Sequence, residues 1–256
     1  MMNSIFDTHA HYNDEAFDCD RDGIFEFLKT NGVCAVINCG TDIPSSKTSL
    51  RYAEENDFVF AACGIHPEDI VGRPDDWLNQ IENLCLSEKC VAVGEIGLDY
   101  HRDTPRDEQK DVFEKQLLLA NKLSKPVIVH DRQAHEDTLE LIKKYRPAGV
   151  MHCFSGSAET AKELLKAGMY IGFGGSLTFK NAKKTVDVFS IVPLDRFLLE
   201  TDCPYMAPVP FRGKRNDSTL IIYVAEKMSE ISGMSTEKIL NLARENAKRL
   251  FLGNDQ

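Results

Sequence analysis

Eight short apolar, β-branched runs alternate with amphipathic stretches along the chain. This alternation constrains the fold more than any other feature. The runs end near Phe6, Asn38, Ala62, Val93, Val129, Met151, Phe173 and Leu199. The stretches between them carry helix signals. Thr104-Pro105 ahead of Asp107 and Glu108 predicts an N-cap, a proline at the first helical position and acids in the first turn. Ser157 precedes a helical run that Gly168 terminates. Ser235 opens a last helix through Ile239, Leu242, Ala243 and Leu250. Strands that each lead into a helix imply a parallel sheet.

Whether that sheet is open or closed is read from where the chemistry falls. An open doubly wound sheet gathers ligands at one switch point, whereas a closed barrel draws them from the carboxyl ends of all its strands. Here imidazoles and acids follow many different runs. The expectation is therefore an α/β chain folded as a (β/α)8 TIM-type barrel, and 256 residues suit one such barrel. No linker, low-complexity tract or fixed-period repeat divides it, so residues 1–256 read as a single domain. The apolar runs are strand-sized, too short to span a bilayer. The start, Met1 to Asp7, lacks a basic region ahead of an apolar run and predicts no signal peptide. The eight cysteines form no Cys-x-x-Cys pair, which argues against a zinc ribbon or dithiol site and favours reduced thiols in a cytoplasmic protein. Nothing demands an oligomer, and a monomer is the simplest state.

Six residues carry the chemistry. His9 and His11 lie two apart after the first run, so on extended chain both rings face the same side. Glu95 sits between Gly94 and Gly97 at the expected end of the fourth strand. Its two carboxylate oxygens could serve two cations. His130 and His152 close the fifth and sixth strands, and Asp202 follows the eighth. Each alone reads equally well as a solvated acid, a turn residue or a core histidine. Together, a barrel brings all six to one mouth. Two divalent cations there, about 3.5–4 Å apart, would activate a water and clamp a phosphate.

The chain resembles the TatD family of metal-dependent deoxyribonucleases, within the amidohydrolase-like barrels. The resemblance runs through Phe6-Asp7-Thr8-His9-Ala10-His11, Gly64-Ile65-His66-Pro67, Gly94-Glu95-Ile96-Gly97-Leu98-Asp99-Tyr100, Lys125 to His130, His152-Cys153-Phe154-Ser155-Gly156, Glu200-Thr201-Asp202-Cys203-Pro204 and Arg212-Gly213-Lys214-Arg215-Asn216. It implies His9, His11 and Asp202 on one metal, His130 and His152 on the other, Glu95 between them, and His66 near the scissile phosphate. Catalysis would then rest on Asp202, Glu95 and His66. One departure stands out: the family usually has a proline shortly after the Arg-Gly-Lys-x-Asn loop, where this chain reads Asn216-Asp217-Ser218-Thr219.

The expected function is phosphodiester hydrolysis of DNA, from ends or on single strands. The alternative is a binuclear amidohydrolase or lactonase acting on a small molecule. The resemblance leans to Mg2+ for activity, while four imidazoles also suit Zn2+ or Mn2+. A formal net charge of −10 excludes a broad basic DNA-binding groove and points to a small contact with a strand end or short single-stranded segment. Arg132, beside His130, and the basic loop Arg212, Lys214 and Arg215 are the candidate phosphate contacts. Asp99 is a candidate to orient a metal ligand.

Overall fold

The computed structural model describes residues 4–253. Met1 to Asn3, part of the segment read above for a signal peptide, lie outside the described residues. Eight strands form one parallel sheet in sequential order: β1 (Ile5–Ala10), β2 (Val33–Cys39), β3 (Val59–Cys63), β4 (Cys90–Asp99), β5 (Val127–Arg132), β6 (Gly149–Met151), β7 (Tyr170–Phe173) and β8 (Phe197–Leu199). Between them run α1 (Arg21–Thr30), α2 (Ile43–Glu55), α3 (Trp77–Cys85), α4 (Arg106–Leu123), α5 (His135–Tyr145), α6 (Ala158–Lys166) and α7 (Lys183–Phe189). α8 (Ile221–Ser232) and α9 (Thr236–Phe251) follow β8. This is a TIM-type barrel. None of its described helices is long and apolar enough to cross a membrane.

The strands alternate between two apolar clusters, as the period of two requires. Phe6, Ile37, Ala62, Ala92, Ile128, Val150, Tyr170 and Leu198 fill the barrel interior, and Ala247 and Phe251 of α9 join them as its floor. Ile5, Val36, Cys63, Val93, Val129, Met151, Ile171 and Phe197 pack outward against the helices. Both faces are covered, which explains why the strands read as near-continuous apolar runs.

The local signals act largely as expected. Ser157 and Ser235 each cap a helix by accepting from the backbone N–H three residues on. Gly168, with φ +97°, follows the end of α6. One detail differs. Pro105 is itself the N-cap of α4, so the helix begins at Arg106, one residue later than read.

The strand ends differ more. β1, β4 and β5 run past Phe6, Val93 and Val129 to Ala10, Asp99 and Arg132. Glu95 therefore lies within β4, not at its end. Strict alternation would turn Glu95 outward with Val93. The β4–β5 register shifts between Val93 and Ile96, both outward-packed and three apart, so one extra residue is accommodated and Glu95 turns to the interior. β1 does the same between Asp7 and Ala10, which brings His9 inward.

The β8–β1 seam lacks a regular ladder; a single parallel bridge joins Ala10 to Cys203. Asp7 reinforces it. This buried carboxylate accepts from the Thr201 amide at 3.0 Å, the Thr201 hydroxyl at 2.6 Å, the Ser218 hydroxyl at 2.6 Å and the His9 amide at 3.2 Å.

Candidate metal centre

The mouth gathers five histidines and two acids. Glu95 stands at the centre. Its Oε2 lies 3.3 Å from His9 Nε2 and 3.5 Å from His11 Nε2. Its other oxygen, Oε1, lies 3.0 Å from His130 Nδ1, 3.6 Å from His66 Nε2 and 3.9 Å from His152 Nε2. Asp202 closes the ring: its Oδ1 is 3.5 Å from His11 Nε2, 3.7 Å from His9 Nε2 and 3.8 Å from His152 Nε2. Three donor sets result, each with ligand atoms within 4.8 Å: His9, His11 and Glu95; His66, Glu95 and His130; and His9, His152 and Asp202. Such sets can hold metal. All six residues expected to meet do meet, and His66 joins them. The pairing within sets differs from the family pattern, because His152 shares a set with His9 and Asp202.

What lies behind each ring fixes which nitrogen faces the cluster. His11 Nδ1 donates to the Cys39 carbonyl at 3.0 Å. His130 Nε2 donates to Asp99 at 3.1 Å. His152 Nδ1 lies 3.3 Å from Glu200 Oε1, a charge contact and not an aligned hydrogen bond. His9 Nδ1 lies 3.5 Å from the Cys39 thiol. His11, His130 and His152 thus have an acceptor behind the ring, and all four rings leave one nitrogen toward the carboxylates, as metal-ligating histidines do. His66 is the reverse. Its Nδ1 accepts the Glu68 amide proton at 3.2 Å, so the neutral ring carries its proton on Nε2, the atom that faces Glu95.

The cluster's protonation fits a cation site. Burial depresses the imidazolium forms, yet the Asp202 and Glu95 carboxylates outweigh it and raise His11 to about 10. Against the same burial, Asp99 and Glu95 raise His130 to about 10, and Glu200 raises His152 to about 9. Burial lowers His9, and it takes His66 down to about 3. Despite burial, the surrounding histidines hold Glu95 well below the usual carboxylate range and lower Asp202 as well. His11 and His9 approach Nε2 to Nε2 at 2.9 Å, so a proton on His11 bridges them. Protons here occupy places that cations would take, and metal binding must displace them.

A family model described as TatD related DNase matches residues 6–252. The chain belongs to the TatD family. It is 45% identical over 251 residues to a Bacillus subtilis protein described as the uncharacterized metal-dependent hydrolase YabD, covering 96% of this chain and 98% of that one. It is 31% identical to a Cronobacter sakazakii protein named 3'-5' ssDNA/RNA exonuclease TatD, covering 98% of each. Among solved structures, the Escherichia coli TatD homologue YJJV superposes with a TM-score of 0.92 at 32% identity, covering 98% of this chain and 99% of that one.

Within this family frame, the remaining candidates fall in different places. Arg132, half-exposed, lies at the end of β5, its guanidinium 4.0 Å from Asp99. Arg212 lies over the Phe179 ring at 4.4 Å, and Lys214 lies 5.7 Å from the Phe211 ring. Arg215 is engaged elsewhere. It pairs with both oxygens of Asp20, at 2.7 and 2.6 Å, and lies over Phe17. That fastens the loop to the start of α1. Asn216 fastens the same loop from inside by donating to the Thr201 and Tyr205 carbonyls. Asp99 stands where it was expected, behind His130. Sequence reading missed Cys39, Glu200 and Asp7. Glu200 had a signal, since it opens the same Glu200-Thr201-Asp202-Cys203-Pro204 motif that holds Asp202. Cys39 acts partly through its backbone carbonyl, which no side-chain pattern reveals.

Proposed function

We propose that this metal-dependent hydrolase cleaves phosphodiester bonds of nucleic acid, at a strand end or in a single-stranded segment, with two divalent cations. The observation that carries the reading is the division of Glu95: one oxygen addresses His9 and His11, the other addresses His130. A single carboxylate facing two donor sets suits two neighbouring ions. The relative named as an exonuclease for single-stranded DNA and RNA supports the substrate class.

His9, His11 and Asp202 would hold one ion, His130 and His152 the other, with Glu95 common to both. When bound, the cations supply Lewis acidity, neutralising phosphate oxygens and making a water more acidic. The chain's own groups do the rest. Asp202 and His130 are the members with side chains open to solvent, 21% and 19%, so water and substrate meet the cluster on their side. Asp202, held ionised, takes the proton as the water oxygen bonds to phosphorus and the P–O bond to the leaving group breaks. His66, neutral with its proton on Nε2, donates to a non-bridging oxygen, which leaves Glu95 and His130 as the ligands of its set. Arg132, Arg212 and Lys214 contact flanking phosphates. Mg2+ is the proposed physiological ion, with Mn2+ or Zn2+ as substitutes.

The test is cleavage of end-labelled single- and double-stranded DNA across Mg2+, Mn2+ and Zn2+, with metal content measured in parallel. Wild type should bind close to two ions per chain. Glu95→Ala should keep the fold, bind fewer ions and lose cleavage by roughly a thousandfold or more. Near-normal turnover by a folded Glu95→Ala protein would overturn the bridging role. Hydrolysis of amides or lactones with no action on DNA would overturn the nuclease reading.

A further inference from the structure

The rim of the barrel is electrically lopsided. The β1–α1 loop, from His11 to Asp20, contains Asp14, Glu15, Asp18 and Asp20 and no Lys or Arg. The β3–α3 loop contains Glu68, Asp69, Asp75 and Asp76 against Arg73 alone. By contrast, residues 174–186 and 203–216 contain Lys180, Lys183, Lys184, Arg212, Lys214 and Arg215, with acids only at their borders, Asp187, Asp202 and Asp217. On a chain of net charge −10, that separation needs a reason.

These two basic segments form one surface. The Val209 amide donates to the Thr178 hydroxyl at 2.9 Å, and the Arg212 guanidinium covers Phe179, the residue before Lys180. Lys184 reaches toward the β5–α5 loop, where its charge opposes the effect of Asp131 on His135. Lys180, Lys183, Lys184, Arg212 and Lys214 are all exposed, and none makes an ion pair among the described residues. Many cations elsewhere on the surface are paired instead. Lys110, Lys115, Lys122, Lys143, Lys144, Lys166 and Lys227 each hold a carboxylate. Tyr205 stands 55% exposed three residues beyond Asp202, its hydroxyl donating to Asp14 of the β1–α1 loop at 2.6 Å, with Val209 also exposed.

We infer that the β7–α7 loop with the first turn of α7, together with the β8–α8 loop, forms a ledge that carries the single-stranded substrate away from the metal cluster, phosphates on Lys180, Lys183, Lys184, Arg212 and Lys214 and a base on Tyr205. This deepens the nuclease reading and rests on it. The acidic β1–α1 and β3–α3 loops repel a polyanion, which favours a path over Lys180, Lys183, Lys184, Arg212 and Lys214. Unpaired cations spaced along two loops suit a run of phosphates, and an exposed aromatic ring among them suits a stacked base. Five free cations also make a small footprint, consistent with an acidic protein that binds a short segment.

The test separates the ledge from catalysis. Fluorescein-labelled (dT)20, (rU)20 and (dT)3 are titrated with full-length protein in EDTA, where binding is read by anisotropy without cleavage, over a salt series. The K180Q/K183Q/K184Q variant should bind (dT)20 about tenfold more weakly, with the log–log salt slope reduced by about 2, since each phosphate contact on a single strand contributes about 0.7. Its advantage for (dT)20 over (dT)3 should shrink. Tyr205→Ala should weaken binding with the salt slope unchanged. The control is K29Q/K122Q/K166Q, in the last turns of α1, α4 and α6 and hence at the opposite end of the barrel; it should match wild type. Equal effects of the two triple variants would overturn the ledge while leaving nuclease activity standing. Normal ledge behaviour with no cleavage of any polynucleotide in Mg2+, Mn2+ or Zn2+ would retain the ledge and overturn the nuclease reading. Equal binding of (dT)20 and (rU)20 would support a ledge that reads backbone charge.

Discussion

A histidine ligates only through a nitrogen without a proton, and the group behind the ring decides which nitrogen that is. This separates the five imidazoles of the mouth. His11, His130 and His152 have acceptors behind them and His9 has the Cys39 thiol, whereas His66 has the Glu68 amide. Glu200 is the backing group with the tightest steric requirement. It fits because residue 172 has no side chain: a Cβ there would lie 2.6 Å from Glu200 Oε2 and 2.9 Å from its Cδ. Gly172→Ala should therefore push the carboxylate off His152. Loss of such a backing partner typically costs ten- to a hundredfold in metal affinity. Titration with Mn2+, followed by electron paramagnetic resonance on protein shown by circular dichroism to be folded, should find one ion weakened by about that factor. Unchanged affinity for both ions would remove Glu200 from the role.

At the scale of elements, the sequence made the ligands legible because each falls in a recognisable motif near a strand end. It misplaced the end itself. Glu95 reads as the residue where the strand ends, yet it lies inside β4 beside Gly94, where a Cβ would meet Ile128 at 2.8 Å; at Gly97 a Cβ would meet the His130 carbonyl at 2.0 Å. These glycines permit close approach of β4 to β5 and mark the bulge that turns Glu95 inward. The closure of β8 onto β1 was equally hidden, because a carboxylate and two hydroxyls far apart in sequence perform it. Here the departure from the family pattern at Asn216-Asp217-Ser218-Thr219 finds its place. Ser218 donates its hydroxyl to Asp7 and its amide to Tyr12 Oη, at 2.6 and 2.9 Å. Ser218→Ala leaves one Asp7 oxygen with a donor fewer and Tyr12 without its hydroxyl partner. The expected loss of stability is about 1–3 kcal/mol. It should appear as a lower urea midpoint with an unchanged m-value. A midpoint equal to wild type would show that the Ser218 contacts contribute nothing to the stability of the seam.

At the scale of the molecule, the proposed ligands come from β1, β4 and β5 and from the segments after β1, β6 and β8, so cations bound there would tie the seam strands to the far side of the barrel. Ions that bind only the folded chain stabilise it by about 4 kcal/mol at a thousandfold excess over Kd. For 256 residues that corresponds to about 8–16 °C in Tm. The size of the effect should depend on pH in a definite direction. In the cation-free fold His11 and His130 are raised to about 10 and His152 to about 9, against 6.5 for an unperturbed imidazole. Protonation therefore stabilises the cation-free protein fully below about pH 6.5, and that contribution disappears as the pH climbs through the folded values. The cation-bound protein has the opposite dependence, because the same nitrogens must be bare to ligate. The Tm difference between Mn2+-loaded and EDTA-treated protein should widen from pH 6.5 to pH 8.5, measured by calorimetry in buffers of matched ionic strength. A difference that stays constant or narrows would mean that these imidazoles do not exchange protons for metal, and the cluster would then be an ion-paired network closing the barrel mouth.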